Sequence, residues 1–363
     1  MAILIFAVVL FLLVLVHEFG HFITAKKTGM RVDEFGIGFP PKLFGFRSGE
    51  TEYTFNALPI GGFVKIYGED AIEAEGKGDF SRSFSGKSKW AQALVLVAGV
   101  AMNVLFAWFL FALALGIGTP TAVLPDDASD AAKLHVIGVI AESPAAAAGV
   151  PTGAEVISLR TSGETYTPRT PEEFRMFVDD ASGAEVVLTY AYKGETSEAA
   201  LTPSSDVLVD SPEQKAIGVS LGLIETEGMP IHRAIAEGFM LTVTSTRDIV
   251  VGISTLIGDA LMWKADLSNV AGPVGIVGLV DDASAIGLTT VLMFMAFISL
   301  NLAVINLLPF PALDGGRLLF VIIEALKGSP IPTRIAYYAN ATGFILLMML
   351  MVAITFNDII RIT

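Results

Sequence analysis

Four stretches of this 363-residue chain are almost purely apolar: the first 25 or so residues, Trp90 to Gly118, Leu288 to Leu308 and Ile335 to Phe356. A helix rises about 1.5 Å per residue, so each is long enough to cross roughly 30 Å of hydrocarbon. The pattern predicts a multi-pass α-helical membrane protein with about four transmembrane helices. A fifth stretch, residues 231 to 265, is only moderately apolar and carries Arg233, Glu237, Arg247, Asp248 and Asp259. Charges spaced in this way predict an interfacial amphipathic helix, or a pair of them, in preference to a span. Gly272-Pro273-Val274-Gly275 then reads as a sharp break in helix.

Between the apolar runs the pattern changes. Residues 32 to 70 hold short β-favouring runs, Tyr53-Thr54-Phe55-Asn56 and Phe63-Val64-Lys65-Ile66-Tyr67, punctuated by Gly and Pro, which reads as hairpins. Non-helical backbone within a bilayer must pack on protein or line a cavity. This stretch is therefore expected to be a membrane-associated β-rich loop, with a plain cytoplasmic loop as the alternative. Residues 71 to 89 read as a solvated linker. From Thr119 to Thr226 there are 17 acidic residues against six basic ones, alternating runs such as Val186-Val187-Leu188-Thr189-Tyr190, and a helical stretch from Pro171 to Val178. That predicts one inserted water-soluble α+β domain. The chain divides into an N-terminal membrane part (1–118), the soluble domain (119–226), interfacial helices with the Gly-Pro segment (227–287) and a C-terminal membrane part (288–363).

Charge supplies the orientation. Lys26, Lys27 and Arg31 follow the first span and Arg317, Lys327 and Arg334 separate the last two; basic residues in short loops mark the cytoplasmic side. The N-terminus and the acidic domain are then expected outside the cytoplasm. No basic region precedes the first apolar run and no small-x-small site closes it, so it is expected to remain as a span. An apolar content of 53% with 17% charged residues fits a chain bathed in lipid. The net charge of -14 leaves no basic surface for nucleic acid. With no cysteine, disulfides, thiolate ligands and a cysteine nucleophile are all excluded.

Candidate chemistry sits inside the first span, at His17-Glu18-Phe19-Gly20-His21. Positions i and i+4 share a helix face, so both imidazoles can address one metal ion. Glu18 lies about 100° further round, where its carboxylate can serve a water at that metal as general base. Ionisable groups at membrane depth are costly and belong to functional sites by default. The third span ends in Asn306-Leu307-Leu308-Pro309-Phe310-Pro311-Ala312-Leu313-Asp314-Gly315-Gly316, where two prolines stop regular helix. By topology Asp314 shares the cytoplasmic half of the bilayer with the histidines. Catalytic zinc takes three protein ligands and keeps one position open, so Asp314 reads as the third ligand or, alternatively, as a helix cap. Asn103, strongly polar in the second span, suits a substrate-facing hydrogen-bonding group or helix-packing glue.

The two motifs, in this order and each on a span, resemble those of the site-2 protease family of intramembrane zinc metalloproteases, most closely its bacterial regulator-of-sigma-E protease branch. The resemblance takes in the β-rich loop and Gly272-Pro273-Val274-Gly275 and covers essentially the whole chain. It implies Zn2+ held by His17, His21 and Asp314, Glu18 as general base, and Asn306, Pro309 and Pro311 near the substrate. The soluble domain is similar to a PDZ domain through Ile140-Ala141-Glu142-Ser143-Pro144-Ala145 and Ala148-Gly149-Val150-Pro151-Thr152-Gly153-Ala154-Glu155-Val156-Ile157. One copy is present, whereas enterobacterial relatives carry two in tandem.

The resemblance implies an intramembrane endopeptidase of the bacterial cytoplasmic (inner) membrane, surrounded by membrane lipids and cutting single-span transmembrane proteins. The expected substrates are an anti-sigma factor pretrimmed by a prior-acting site-1 protease, or remnant signal peptides. A non-hydrolytic membrane metal-binding or transport protein with a PDZ module is the alternative. Glu18 separates the two, since a transporter needs ligands but no base beside them. Set across the bilayer from the ligands, the PDZ-like domain is expected to filter substrates by size, because its negative charge opposes capture of a carboxylate.

Overall fold

The computed structural model describes residues 2–69, 79–161, 163–181, 183–205, 207, 215–262, 264 and 270–362. Most of the expected linker, with Glu73 and Glu75, lies outside them. The chain forms two compact units, the first comprising Met1–Ala114, Ile231–Ser284 and Val291–Thr363, the second Leu115–Pro230 and Ala285–Thr290.

Helix α1 (Ala2–Lys27) is apolar up to His17-Glu18-Phe19-Gly20-His21, and in its last turn Lys26 and Lys27 favour the negative end of the helix dipole. Strands β1 (Val32–Ser48) and β2 (Thr51–Ile66) follow. Both are long and bent, so two strands make four antiparallel ribbons. Residues 52–55 of β2 pair with 34–37 of β1 on one side and with 44–47 on the other, while 62–66 close on 32–37. The outer ribbon, 62–66, reaches α1: the Val64 N–H donates to Glu18 Oε2 at 3.1 Å. Helix α2 (Lys89–Ile117) then packs on α1 at small residues. A Cβ on Gly20 would lie 2.4 Å from the Ala98 carbonyl oxygen, an approach only glycine allows and one typical of helix pairs in lipid.

In the second unit β3 (Thr119–Val123), β4 (Lys133–Val139), β5 (Glu155–Thr161), β7 (Val186–Tyr192), β8 (Glu195–Leu201) and β9 (Val219–Glu227) form a sheet in the order β3-β9-β4-β5-β7-β8. The short β6 (Glu164–Tyr166) pairs with β5. Two helices, α3 (Pro144–Ala147) and α4 (Pro171–Asp180), accompany the sheet. Thr170 caps α4 by accepting from the Glu173 N–H, with Pro171 in the first turn where its missing N–H costs nothing. The core is Leu134, Val136, Leu159, Leu188, Leu201 and their neighbours from the inward-facing strand positions, with Phe174 and Val178 from α4.

Back in the first unit come α5 (Ile231–Leu261), α6 (Pro273–Ile286), α7 (Leu288–Leu307), α8 (Asp314–Lys327) and α9 (Thr333–Ile362). Five helices, α1, α2, α5, α7 and α9, are long and apolar enough to cross a membrane, one more than the four expected. The segment expected to be one or two interfacial helices is a single 31-residue helix. Its near end packs on α2, where the Trp108 indole donates to the Ile235 carbonyl at 3.0 Å. Gly272-Pro273, expected to break helix, starts one: Pro273 opens α6, and the buried Asp358 carboxylate accepts from the N–H groups of Gly272 and Gly275 at 3.1 and 2.8 Å. Proline at a first helical position loses no bond, because that N–H would be unpaired anyway. Val9, Leu13, Ala107, Leu110, Phe111, Ile249, Met295, Ala296 and Leu300 form the core that joins α1, α2, α5 and α7.

Candidate metal centre

Helical spacing on α1 brings His17 and His21 onto the face that meets α2, where both are buried. Asp314 arrives from a chain segment 297 residues away. After α7 ends, the Phe310 N–H donates to the Leu308 carbonyl, and Ala312 takes φ +77° with its N–H donating to Asn340 Oδ1 of α9 at 3.2 Å. That turn swings Asp314 back as the first residue of α8. Gly315 and Gly316 make the turn possible, since a Cβ on either would lie 2.2 Å from a carbonyl oxygen of Leu308 or Phe310.

Three ligand atoms meet. Asp314 Oδ2 lies 2.9 Å from His17 Nε2 and 3.3 Å from His21 Nε2, and the two imidazole nitrogens are 3.1 Å apart. Bonds of about 2.0–2.1 Å at tetrahedral angles space ligands about 3.3 Å apart, so the triangle has the dimensions of one face of a zinc site. Two imidazoles and a carboxylate also match zinc in chemistry. Glu18 is not in this triangle. Its carboxylate is held beside it through the Val64 N–H, so the base candidate is anchored by the β-sheet and the ligand candidates by the helices.

Surrounding residues fix the ring orientations. His21 Nδ1 lies 2.9 Å from the Val95 carbonyl, which can only accept, so Nδ1 carries the proton and Nε2 is free for a metal. Asn103 is fully buried, with Nδ2 at 3.2 Å from His17 Nδ1. Ser299 of α7 donates to the Asn103 backbone carbonyl at 2.8 Å. Gly99, one turn before Asn103, lies against both rings: a Cβ there would come within 2.4 Å of His21 Nε2 and 2.8 Å of His17 Cε1. Asn306 is half-buried and has no side-chain partner among the described residues; Pro309 is exposed, and Pro311 packs against Gly343 of α9.

Sequence reasoning did not single out Gly99, Val95, Ser299 or Asn340. A glycine in an apolar helix, one turn from a polar residue, is a signal for close helix approach that was present but unread. The backbone donors and acceptors carry no residue-type signal at all.

The chain matches peptidase family M50 over residues 5–350. A Clostridium perfringens protein named as a zinc metalloprotease is 37% identical over 358 residues, covering 98% of each chain. The regulator of sigma-W protease RasP of Bacillus subtilis is 29% identical over 435 residues, covering 98% of this chain and 97% of RasP. A zinc metalloprotease RasP of Oceanobacillus iheyensis shares 29% over 427 residues, 96% of each chain. With a family match spanning nearly its whole length, relatives named as zinc metalloproteases, and long apolar helices around a His-His-Asp cluster, the chain belongs to peptidase family M50, the site-2 protease family, and is an intramembrane zinc metalloprotease.

Proposed function

We propose that His17, His21 and Asp314 hold the zinc, that Glu18 is the general base, and that the substrate is the membrane segment of a single-span protein entering a site on the cytoplasmic side. The observation that carries this reading is the ligand triangle of 2.9, 3.1 and 3.3 Å set among apolar helices. Bound there, zinc supplies Lewis-acid polarisation of the scissile carbonyl and acidifies water. Glu18 takes the proton of the attacking water on its carboxylate and delivers it to the leaving amine. A substrate helix shields its peptide bonds in its own hydrogen bonds and must be unwound first; the Asn306 amide, without a partner among the described residues, offers donors and an acceptor to the freed backbone. A pretrimmed anti-sigma factor fits, given a relative named as a regulator of sigma-W protease. Remnant signal peptides share the same single-span form. In vesicles, a labelled single-span protein should be cut within its apolar segment, and chelation should abolish the cut. A His17→Ala, His21→Ala double variant retaining stoichiometric zinc would place the metal elsewhere.

For the second unit, a PDZ-like role is supported by a groove of about 400 Å³ between α4 and β9, lined by Phe174, Val178, Arg175, Asp179, Lys215 and Leu221. Among the described residues β3 pairs with Leu223–Glu227 of β9, and residues 219–222 have no strand partner on that edge. An extended peptide can add there as a strand, and two basic residues, Arg175 and Lys215, against one acidic residue, Asp179, leave the groove's lining less negative than the unit as a whole. This favours capture of a new carboxyl terminus over the size filter. Arg175→Glu should raise KM for a pretrimmed substrate severalfold with kcat unchanged. Unchanged KM, with untrimmed substrates newly admitted on deletion of the unit, would restore the filter.

A further inference from the structure

We infer that Asn103 is a positioning residue: its side-chain carbonyl Oδ1 accepts the Nδ1–H of His17 and thereby presents His17 Nε2 to the metal. The inference rests on the proposed metal site and concerns the tautomer of one of its ligands. His17 Nε2 is the nitrogen that faces Asp314 and His21. For it to bind a cation its lone pair must be free, which puts the ring's proton on Nδ1. A protonated Nδ1 needs an acceptor, and its one close polar neighbour among the described residues is the Asn103 amide at 3.2 Å. With Nδ2 turned toward the ring, donor would face donor. The opposite orientation exchanges the amide's O and N by a half-turn about its terminal bond, and the two differ only in which atom is named oxygen.

Among the described residues nothing else holds the amide in either orientation. Asn103 Oδ1 is the one buried side-chain nitrogen or oxygen without a partner among the described residues, so no competing bond opposes the turn and His17 alone decides it. The backbone is held more firmly: the Ser299 hydroxyl donates to the Asn103 carbonyl, and the side chain has no exposure through which water could substitute. Asn103 thus does for His17 what the Val95 carbonyl does for His21, and each ligand histidine is oriented by α2. The position is too enclosed for contact with substrate, which was the other reading of this residue.

The test compares Asn103→Asp, which keeps an acceptor, with Asn103→Leu, which keeps volume and removes it. Zinc affinity of the full chain in detergent is read by competition with a chelator, and the Co2+-substituted protein supplies a visible spectrum that reports ligand geometry. Loss of such an outer partner typically costs 10–100-fold in metal affinity. Asn103→Leu should fall in that range with an altered Co2+ spectrum, whereas Asn103→Asp should hold metal close to wild type with the spectrum preserved. If Asn103→Leu matches wild type, or if Asn103→Asp loses as much metal as Asn103→Leu, the carbonyl is not the acceptor and the inference fails. His17→Ala distinguishes the levels: if it too keeps zinc, the metal-site reading itself is wrong.

Discussion

Glu18→Gln is expected to retain stoichiometric zinc and to lose proteolysis by about 10²–10⁴-fold, the usual contribution of a positioned general base. The carboxylate lies outside the ligand triangle, so its replacement removes no donor from the metal. Glutamine has the same shape and keeps an oxygen that can accept from the Val64 N–H, the bond that holds Glu18 in place, so the fold has no reason to change. What is lost is the capacity to take a proton from water. Val64→Pro provides the complementary test. It removes the N–H that anchors the carboxylate while leaving the carboxylate itself, and it should lower turnover less than Glu18→Gln does, again without loss of zinc. Undiminished turnover by Glu18→Gln would remove Glu18 from the mechanism. Loss of zinc by that variant would make it a ligand instead.

How much of this was readable beforehand differs from part to part. The i, i+4 histidines on α1 and the spans later found as α2, α7 and α9 follow from periodicity and length alone. Runs of Gly, Pro and aromatics likewise announced strands between α1 and α2. What residue types could not announce is that β1 and β2 each bend to serve two partners, because register depends on pairing and not on composition. Five charged residues along helix α5 point to an interfacial helix, yet its length and apolar composition place it among the candidate spans. Pro273 looked like a stop because proline interrupts helix interiors; at a first turn the same residue is favoured, and only the partner carboxylate of Asp358, 85 residues on, reveals which case applies. Asn103 reads equally as a substrate-facing group or as helix-packing glue; that it is fully buried beside His17, 86 residues away, is not visible in its residue type.

Gly99→Ala is expected to expel the zinc from an otherwise folded protein. The added Cβ would sit 2.4 Å from His21 Nε2, 2.7 Å from His21 Cε1 and 2.8 Å from His17 Cε1, against an ordinary contact of about 3.5–4.0 Å between carbon atoms. One or both rings must therefore move by roughly 1 Å, about twice the 0.5 Å within which a functional constellation has to be held. Relief by the backbone would require α2 to draw away from α1, which would open the close approach of the two helices at Gly20 and the Ala98 carbonyl. The displaced groups are the proposed ligand atoms themselves, so the loss should exceed the 10–100-fold typical of outer partners, and proteolysis should fall with it. Alanine improves helix propensity by about 1 kcal/mol over glycine, so the helix as such is not weakened. Gly258→Ala, at a helical position with open space around it, is the matched control and should leave zinc and turnover unchanged. Chelator competition on the two variants reads the difference directly. Wild-type zinc affinity in Gly99→Ala would mean that the histidines reach the metal from another direction than the one this helix pair imposes.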